Sequence, residues 1–151
     1  MIKFYTDGSC KGNGTSNAVG GWGFIILKND EEIYRESGTE VGTTNNRMEM
    51  LAIINALEKF GGLDTKAEIY TDSAYVHNCL GQKWYVNWQK NGWVSASRQP
   101  VKNKDLWERL IPFFEDNRFV FHKVKGHADN KWNNEVDKLV QDAADQRRKE
   151  K

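Results

Sequence analysis

The sequence is poor in cysteine and proline and contains no long apolar run, and each shortage excludes a class of protein. Two cysteines among 151 residues provide neither the paired spacing of a zinc site nor a disulfide framework. Only two prolines are present, and we find no linker, repeat or low-complexity segment. Because no apolar run approaches a membrane span and the chain opens directly on a strand pattern, we expect no membrane association and no signal peptide. The expected setting is the reducing cytoplasm.

The overall composition predicts a folded chain with a core of its own. Hydrophobic residues make up 38% of the sequence and charged residues 28%, a balance typical of a globular protein rather than a disordered one. A chain of 151 residues is long enough to bury a sizeable core. We therefore expect one domain over residues 1–151, acting as a monomer.

Acidic residues are absent from one stretch of an otherwise nearly neutral chain. The net charge is +1, yet residues 81–104 hold five basic side chains and no acidic one. Three of the six tryptophans, Trp84, Trp88 and Trp93, lie in the same stretch. This composition is typical of a surface that follows a nucleic-acid backbone, with aromatic faces against sugars or bases. The alternative is a solvated lysine face above core tryptophans, which would be Trp88 and Trp107.

Two short apolar runs end in the same dipeptide, Thr-Asp. Residues 2–7 and 67–72 alternate and contain β-branched and aromatic side chains, so both are predicted strands that end at an aspartate, Asp7 and Asp72. If the strands pair in parallel, both carboxylates emerge at the edge of the sheet where open α/β folds bind ligands. Carboxylates held close together favour a divalent cation between them. The alternative is a pair of aspartates that only cap turns.

The order of the predicted elements supports that parallel pairing. Three strands with no helix between them, at about residues 1–7, 21–27 and 32–37, predict an antiparallel meander. A helix at about 46–60 then precedes the strand that ends at Asp72, which is the crossover expected of a parallel pair. The later predicted elements are two short helical pieces in 73–88, a helix in 101–114, a strand at 119–124 and a helix from about residue 133. The fold class is therefore α/β.

Further acidic and histidine side chains lie where they could carry chemistry. Glu49 occupies the first turn of the 46–60 helix, although Asn46-x-x-Glu49 is also a capping-box pattern. Asp137 and Glu135 flank the apolar stripe of the last helix from opposite sides, and periodicity does not choose between them. His127 follows the fifth strand and could move protons, although a loop histidine without a role is the commoner case.

Six short motifs carry a resemblance to a known family. In chain order they are Tyr5-Thr6-Asp7-Gly8-Ser9-Cys10, Thr43-Thr44-Asn45-Asn46-Arg47-Met48-Glu49, Tyr70-Thr71-Asp72-Ser73, Trp88-Gln89-Lys90-Asn91-Gly92-Trp93, Pro100-Val101-Lys102-Asn103 and Val124-Lys125-Gly126-His127. Together they resemble type 1 ribonuclease H (bacterial ribonuclease HI) over nearly the whole chain. The resemblance implies the ribonuclease H-like fold, a five-stranded mixed sheet flanked by helices in which the first strand is parallel to the fourth.

The resemblance also implies roles for individual residues. The family's catalytic carboxylates and its mobile histidine would be Asp7, Glu49, Asp72, Asp137 and His127. The family's step of ten residues from the histidine to the last carboxylate selects Asp137 over Glu135. Contacts to the RNA strand would be the Cys10 backbone, Asn13, Asn45 and Asn46. Contacts to the DNA strand would be Thr44, Trp84 and Asn103, with Lys90 on a basic protrusion, the handle, at about residues 81–104.

The reaction implied is endonucleolytic cleavage of the RNA strand of an RNA–DNA hybrid, leaving 5′-phosphate and 3′-hydroxyl ends. Hard carboxylate oxygens suit two Mg²⁺ ions, with Mn²⁺ able to substitute. Ala74, Gln89 and the loop 13–20 depart from the family pattern, which concerns substrate affinity rather than the reaction. Rival interpretations are a DNA integrase or transposase nuclease on the same fold, and a catalytically silent hybrid-binding module. The filled catalytic positions and the tryptophan-bearing handle favour the ribonuclease.

Overall fold

The fold alternates strands and helices around one mixed sheet. The structure, a computed structural model, describes residues 2–12, 15–60, 66–95, 98–124 and 131–149. The elements are β1 (Ile2–Lys11), β2 (Val19–Lys28), β3 (Glu31–Val41), α1 (Asn45–Phe60), β4 (Ala67–Thr71), α2 (Ala74–Gln82), α3 (Trp84–Asn91), α4 (Lys104–Phe114), β5 (Phe119–Lys123) and α5 (Lys131–Lys149). None of the described helices combines the length and apolarity needed to cross a bilayer.

The sheet has the predicted mixed topology. Its strand order is β3-β2-β1-β4-β5. The first three strands form the antiparallel meander, and β1 pairs in parallel with β4, which pairs in parallel with β5. A right-handed crossover through α1 is the usual way to bring β4 beside β1 in parallel. The predicted arrangement of the sheet is therefore confirmed.

The prediction that Asp7 stands at the end of its strand is wrong. β1 continues to Lys11, and Asp7 itself pairs with Gly23 of β2. Only the parallel ladder between β1 and β4 ends early, at the pair Tyr5–Tyr70. Asp7 and Asp72 each lie two residues beyond that last pair, and side chains two residues apart share a face of the sheet. The repeated Tyr-Thr-Asp therefore still places both carboxylates in one row.

Helices cover the sheet on both faces. On one face α1 and α4 bury Phe4, Phe24 and Ile26, while on the other α5 contacts Tyr5 and Ile25. β1 and β2 are consequently apolar on both sides, as expected of central strands covered by helices. Gly21 of β2 permits the contact between the sheet and α5, because a Cβ at this position would lie 2.8 Å from the Val140 carbonyl oxygen of α5.

The handle begins at the junction of two short helices, which meet at Lys83. Lys83 has φ 55° and separates α2 from α3, as the prediction of two pieces required. Trp84, Trp88 and Trp93 are half-buried and pack on the edge of the main core, whereas Trp107 is fully buried. The alternative that placed both Trp88 and Trp107 in the core is therefore confirmed for Trp107, whereas Trp88 is only partly buried at the edge of the core.

Candidate active site

Four acidic side chains from four separate elements meet at one edge of the sheet. We call Asp7, Glu49, Asp72 and Asp137 the carboxylate cluster. Three of its members line a cavity of about 190 Å³ together with Gly8, Ser9, Asn133 and Asn134. Glu49 joins the cluster from the side through hydrogen bonds to Asp72 and Ser73. The parallel pairing of β1 with β4 and the packing of α1 and α5 on opposite faces bring these groups together.

Glu49 reaches the cluster because α1 starts very close to β1. A Cβ at Gly8 would lie 2.3 Å from the carbonyl carbon of Met48 and 2.4 Å from the amide nitrogen of Glu49, so only glycine allows this approach. Thr44 caps the helix, since its Oγ1 accepts a hydrogen bond from the Arg47 amide at 3.2 Å. The capping-box interpretation of Asn46 and Glu49 is therefore wrong, and the Glu49 carboxyl points to the cluster instead.

The two acidic candidates on α5, Glu135 and Asp137, point in different directions. Asp137 lines the cluster cavity, and a hydrogen bond joins its carboxyl group to that of Asp7. Glu135 turns toward β3, where its Oε2 lies 3.4 Å from Nη2 of Arg35. The geometry thus places Asp137 with the other carboxylates and gives Glu135 a separate, paired position on the surface.

Burial and mutual repulsion favour the protonated forms of three cluster carboxyl groups, those of Asp7, Glu49 and Asp72. Burial and the neighbouring Asp72 charge raise the pKa of Asp7 to about 8. Burial, with a smaller effect of Asp72, raises the pKa of Glu49 to about 7. Burial also raises the pKa of the Asp72 carboxyl, and the Asp137 charge acts in the same direction. A bound cation would oppose these shifts, because it favours the charged form of each carboxyl group.

One buried oxygen of the cluster has no hydrogen-bond donor among the described residues. Oδ1 of Asp72 is buried, and no described protein group donates a hydrogen bond to it. A buried carboxylate oxygen without a donor costs free energy unless a cation or a proton satisfies it. Among the described residues, no group of three or more His, Cys, Asp or Glu side chains is already arranged around a single cation position. The donor set nevertheless fits a hard cation, because every cluster ligand is a carboxylate oxygen.

Six of the predicted nucleic-acid contacts line two further cavities. The first has about 540 Å³ and is lined by Thr44, Asn45, Asn46, Tyr75, Lys102 and Asn103. The Cys10 amide lies beside it and donates a hydrogen bond to Oδ1 of Asn45 at 2.6 Å. Thr44, Asn45, Asn46 and Asn103, which we assigned to the two strands, therefore line one cavity at the start of α1, with the Cys10 amide beside them.

The second cavity belongs to the handle. It has about 490 Å³ and is lined by Trp84, Asn87, Trp88, Lys90, Asn91, Val94 and Ser95. All five basic side chains of residues 81–104 are exposed. Among the described residues only Lys104 has an acidic partner, Glu108, at 4.0 Å. The handle is thus an exposed cationic and aromatic surface, separate from the acidic cavity.

Comparison with known proteins identifies the family. The RNase H family model matches residues 1–145. The chain belongs to the ribonuclease H family. It is 44% identical over 150 residues to the ribonuclease H of Clostridium botulinum, with 96% of each chain covered, and 46% identical over 141 residues to that of Chlorobaculum parvum, with 92% of each covered.

Solved structures of ribonuclease H proteins share the fold. LC9-RNase H1, a type 1 RNase H with the type 2 active-site motif, aligns with a TM-score of 0.79 at 27% identity, covering 96% of this chain and 72% of that one. LC11-RNase H1, solved in complex with an RNA/DNA hybrid, aligns with a TM-score of 0.69 at 25% identity and covers 97% and 98%. The predicted ribonuclease H-like fold and the enzyme class are thereby confirmed.

Two predicted site residues of this ribonuclease H, His127 and Asn13, lie outside the described residues. Sequence reasoning also missed side chains that the structure places at the cluster. Ser73 caps α2 through Oγ, which accepts a hydrogen bond from the Val76 amide, and it also contacts Glu49. A serine directly after the strand-ending Asp72 is the N-cap signal that could have identified it. Asn134 lines the cavity from the first turn of α5, but no pattern singled it out.

Proposed function

We propose that this ribonuclease H is an endonuclease that hydrolyses the RNA strand of RNA–DNA hybrids in a reaction that depends on two Mg²⁺ ions. The products would carry 5′-phosphate and 3′-hydroxyl ends. Family membership supports ribonuclease activity, and the carboxylate cluster supplies the ligands that such a reaction needs. LC11-RNase H1, which shares the fold, is bound to an RNA/DNA hybrid. We propose the described residues as one catalytic domain that works as a monomer in the cytoplasm.

The unpartnered Oδ1 of Asp72 is the observation that carries the metal assignment. It lies beside Asp7 and Glu49, whose pKa values are raised by burial and by the neighbouring Asp72 charge, and a bound cation would offset both effects. Asp7, Glu49, Asp72 and Asp137 would hold the cations, with Mn²⁺ able to replace Mg²⁺. When bound, the cations would activate the attacking water and neutralise charge on the leaving 3′ oxygen.

The chain's own side chains would bind and align the hybrid around that centre. The cavity at the start of α1 offers amide and hydroxyl groups to the two strands, which suits recognition of RNA 2′-hydroxyls. The exposed lysines and tryptophans of the handle would follow the DNA strand through its phosphates and sugars. His127, which follows β5 in the sequence, would move a proton or assist product release.

The test is cleavage of end-labelled substrates with and without Mg²⁺. We expect cleavage of the RNA strand in a hybrid, little cleavage of duplex DNA, and no cleavage in a chelator. Cleavage of duplex DNA would instead support the integrase or transposase interpretation. Tight binding of hybrid without cleavage would support a silent binding module.

A pair of variants on one helix tests the site within the same assay. Asp137→Asn removes a cluster ligand, whereas Glu135→Gln removes a carboxylate two residues away that pairs with Arg35. We expect Asp137→Asn to lose cleavage by several orders of magnitude and Glu135→Gln to retain it. Similar activities of the two variants would contradict the assignment of Asp137.

A further inference from the structure

Asn103 stands at the start of α4 in an unusual conformation. Its backbone has φ 61° and ψ 27°, a left-handed conformation that most residues avoid. Its carbonyl oxygen accepts hydrogen bonds from the amides of Leu106 and Trp107, both at 2.9 Å. An asparagine at this position normally caps the helix with its side chain, but Asn103 makes no such hydrogen bond. Its side chain is therefore available for another task.

Arg47 contacts that side chain from α1. Nη1 of Arg47 lies 3.5 Å from Oδ1 of Asn103, and a guanidinium can only donate hydrogen bonds. The atom of the Asn103 carboxamide that faces Arg47 must accordingly be its oxygen. The amide nitrogen, with two donors, is then directed away from Arg47, and Asn103 lines the 540 Å³ cavity.

Arg47 is itself fixed by two carboxylates. Its Nε donates to Glu40 at 3.0 Å, and its two terminal nitrogens bind Asp105 at 3.1 and 2.9 Å. A bidentate pair of this kind holds the guanidinium plane in one orientation. It also neutralises the charge, so Arg47 has little capacity left to bind a phosphate directly.

We infer that Arg47 is a positioning residue, which orients the Asn103 carboxamide so that its N–H groups face the nucleic-acid backbone. This inference rests on the proposed function, since it deepens the assignment of Asn103 as a contact to the DNA strand. Arg47 links β3, the start of α1 and the turn before α4 into one frame around the cavity. The Asn103 side chain does not cap α4, and its carboxamide therefore remains able to bind substrate.

A second ion pair between the same two helices provides the control. Arg109 of α4 binds Glu58 of α1 in a bidentate pair, with contacts of 3.0 and 2.6 Å. It joins α1 to α4 as the Arg47–Asp105 pair does, but it has no contact with Asn103 or with the cavity among the described residues. Arg47→Lys and Arg109→Lys each keep the positive charge but lose the planar guanidinium group that forms the bidentate pair.

The first measurement is the Michaelis constant for hybrid. We expect Arg47→Lys and Asp105→Asn to raise KM about 3- to 10-fold with kcat within about 2-fold of wild type, because binding is weakened and the chemical step is not. Arg109→Lys should leave KM unchanged while lowering thermal stability about as much as Arg47→Lys does. An equal rise of KM in Arg109→Lys, or no rise in Arg47→Lys, would overturn the inference.

Two further readouts separate positioning from direct contact. If Arg47 acts through Asn103, then Arg47→Lys should add nothing to the KM of Asn103→Ala, whereas independent effects would multiply. The dependence of log Kd on log salt should keep its slope in Arg47→Gln, which unlike Arg47→Lys removes the positive charge, because Arg47 binds no phosphate. A slope lower by about one would make Arg47 itself a phosphate ligand and overturn the inference.

The same series distinguishes failure of the inference from failure of the proposed function. Hybrid binding can be measured in the Asp72→Asn background, where no cleavage is expected. A wild-type enzyme that binds hybrid but does not cleave it would contradict the proposed reaction, while the effect of Arg47→Lys on Kd would still support positioning. An unchanged Kd in Asn103→Ala, with hybrid cleavage intact, would overturn the role of Arg47 alone.

Discussion

The carboxylate cluster and the handle are built in opposite ways. The cluster takes its residues from β1, α1, the position after β4, and α5. Asp7 is buried and Glu49 and Asp72 are half-buried, and burial together with carboxylate repulsion raises the pKa of all three. The handle comes from one continuous stretch, residues 81–104, and its cationic side chains are exposed. Repulsion among the carboxylates of the cluster is unfavourable, and a bound cation would reduce it. The cations of the handle are exposed, so solvent already stabilises their charge. The difference predicts that chemistry depends on the first region and affinity on the second.

The largest expected effect is the loss of cleavage in Asp72→Asn. The substitution keeps the shape of the side chain but removes its negative charge and replaces one carboxylate oxygen by an NH2 group, which cannot bind a cation. We expect hybrid cleavage to fall by several orders of magnitude. Folding should survive, with unchanged or higher stability in the absence of metal, because repulsion among the carboxylates is reduced.

Cleavage rates and thermal melts of the same preparation check this prediction. Near-normal turnover of Asp72→Asn with Mg²⁺ would contradict the metal-site assignment. Asp116→Asn offers a control elsewhere in the chain, since Asp116 pairs with Arg118 on the surface at 2.6 Å. That variant should retain activity.

His127→Ala should have a smaller effect than the loss of a cluster carboxylate. A residue that moves a proton or helps product leave contributes about 10²- to 10⁴-fold to the rate. We expect kcat to fall within that range while hybrid binding barely changes. Pre-steady-state and steady-state rates at saturating hybrid provide the measurement, and a loss equal to that of Asp72→Asn would indicate a structural or ligand role instead.

The two regions also differ in how well the sequence predicts them. The handle is local, so its charge, its tryptophans and its break into two helices follow directly from neighbouring residues. The neighbouring positions of Asp7 and Asp72 could be predicted, because Tyr-Thr-Asp occurs in both strands and its two tyrosines, Tyr5 and Tyr70, pair in the parallel ladder. Periodicity alone left Glu135 and Asp137 undecided, because only the packing of α5 across β2 and β1 turns one toward Arg35 and the other toward Asp7.

Other features of the site required the structure. Nothing in the sequence showed that β1 continues past Asp7, since the glycines after it suggest a loop. The capping pattern at Asn46 and Glu49 pointed to a local role, and the close approach of α1 at Gly8 overrode it. Both errors have the same origin, because tertiary packing rather than local propensity determines how far β1 extends and where the Glu49 side chain points.

The handle should affect affinity rather than catalysis. Replacing Lys83, Lys90 and Arg98 by Gln removes three exposed cations that have no acidic partner within the described residues. We expect KM for hybrid to rise about 10-fold or more at moderate salt while kcat is retained. The slope of log Kd against log salt should flatten by about one for each phosphate that the variant no longer neutralises.

Trp84→Ala sharpens this prediction. Its ring lines the handle cavity and lies 6.3 Å from the ring of Trp88, so its contribution to binding is apolar packing rather than charge. Binding should weaken without any change in the salt slope. A salt series for wild type, the triple Gln variant and Trp84→Ala gives the comparison, and an unchanged slope in the triple variant would make this stretch a solvated face.

The smallest expected effect is a change of metal-free stability with pH, confined to the cluster. The folded-state pKa values of Asp7 and Glu49, about 8 and about 7, lie above the ordinary range of carboxyl groups. The folded protein therefore holds protons that the unfolded chain releases near pH 4, and this stabilisation, complete below pH 4, is lost as the pH rises to about 8. We expect urea unfolding in a chelator to show a loss of about 1 kcal/mol or more between pH 5 and pH 8 that Asp7→Asn reduces. Mg²⁺ should restore more stability at pH 8 than at pH 5, because at the lower pH it competes with protons. The triple Gln variant of the handle should keep the wild-type pH dependence, and an identical dependence in Asp7→Asn would show that the cluster does not hold these protons.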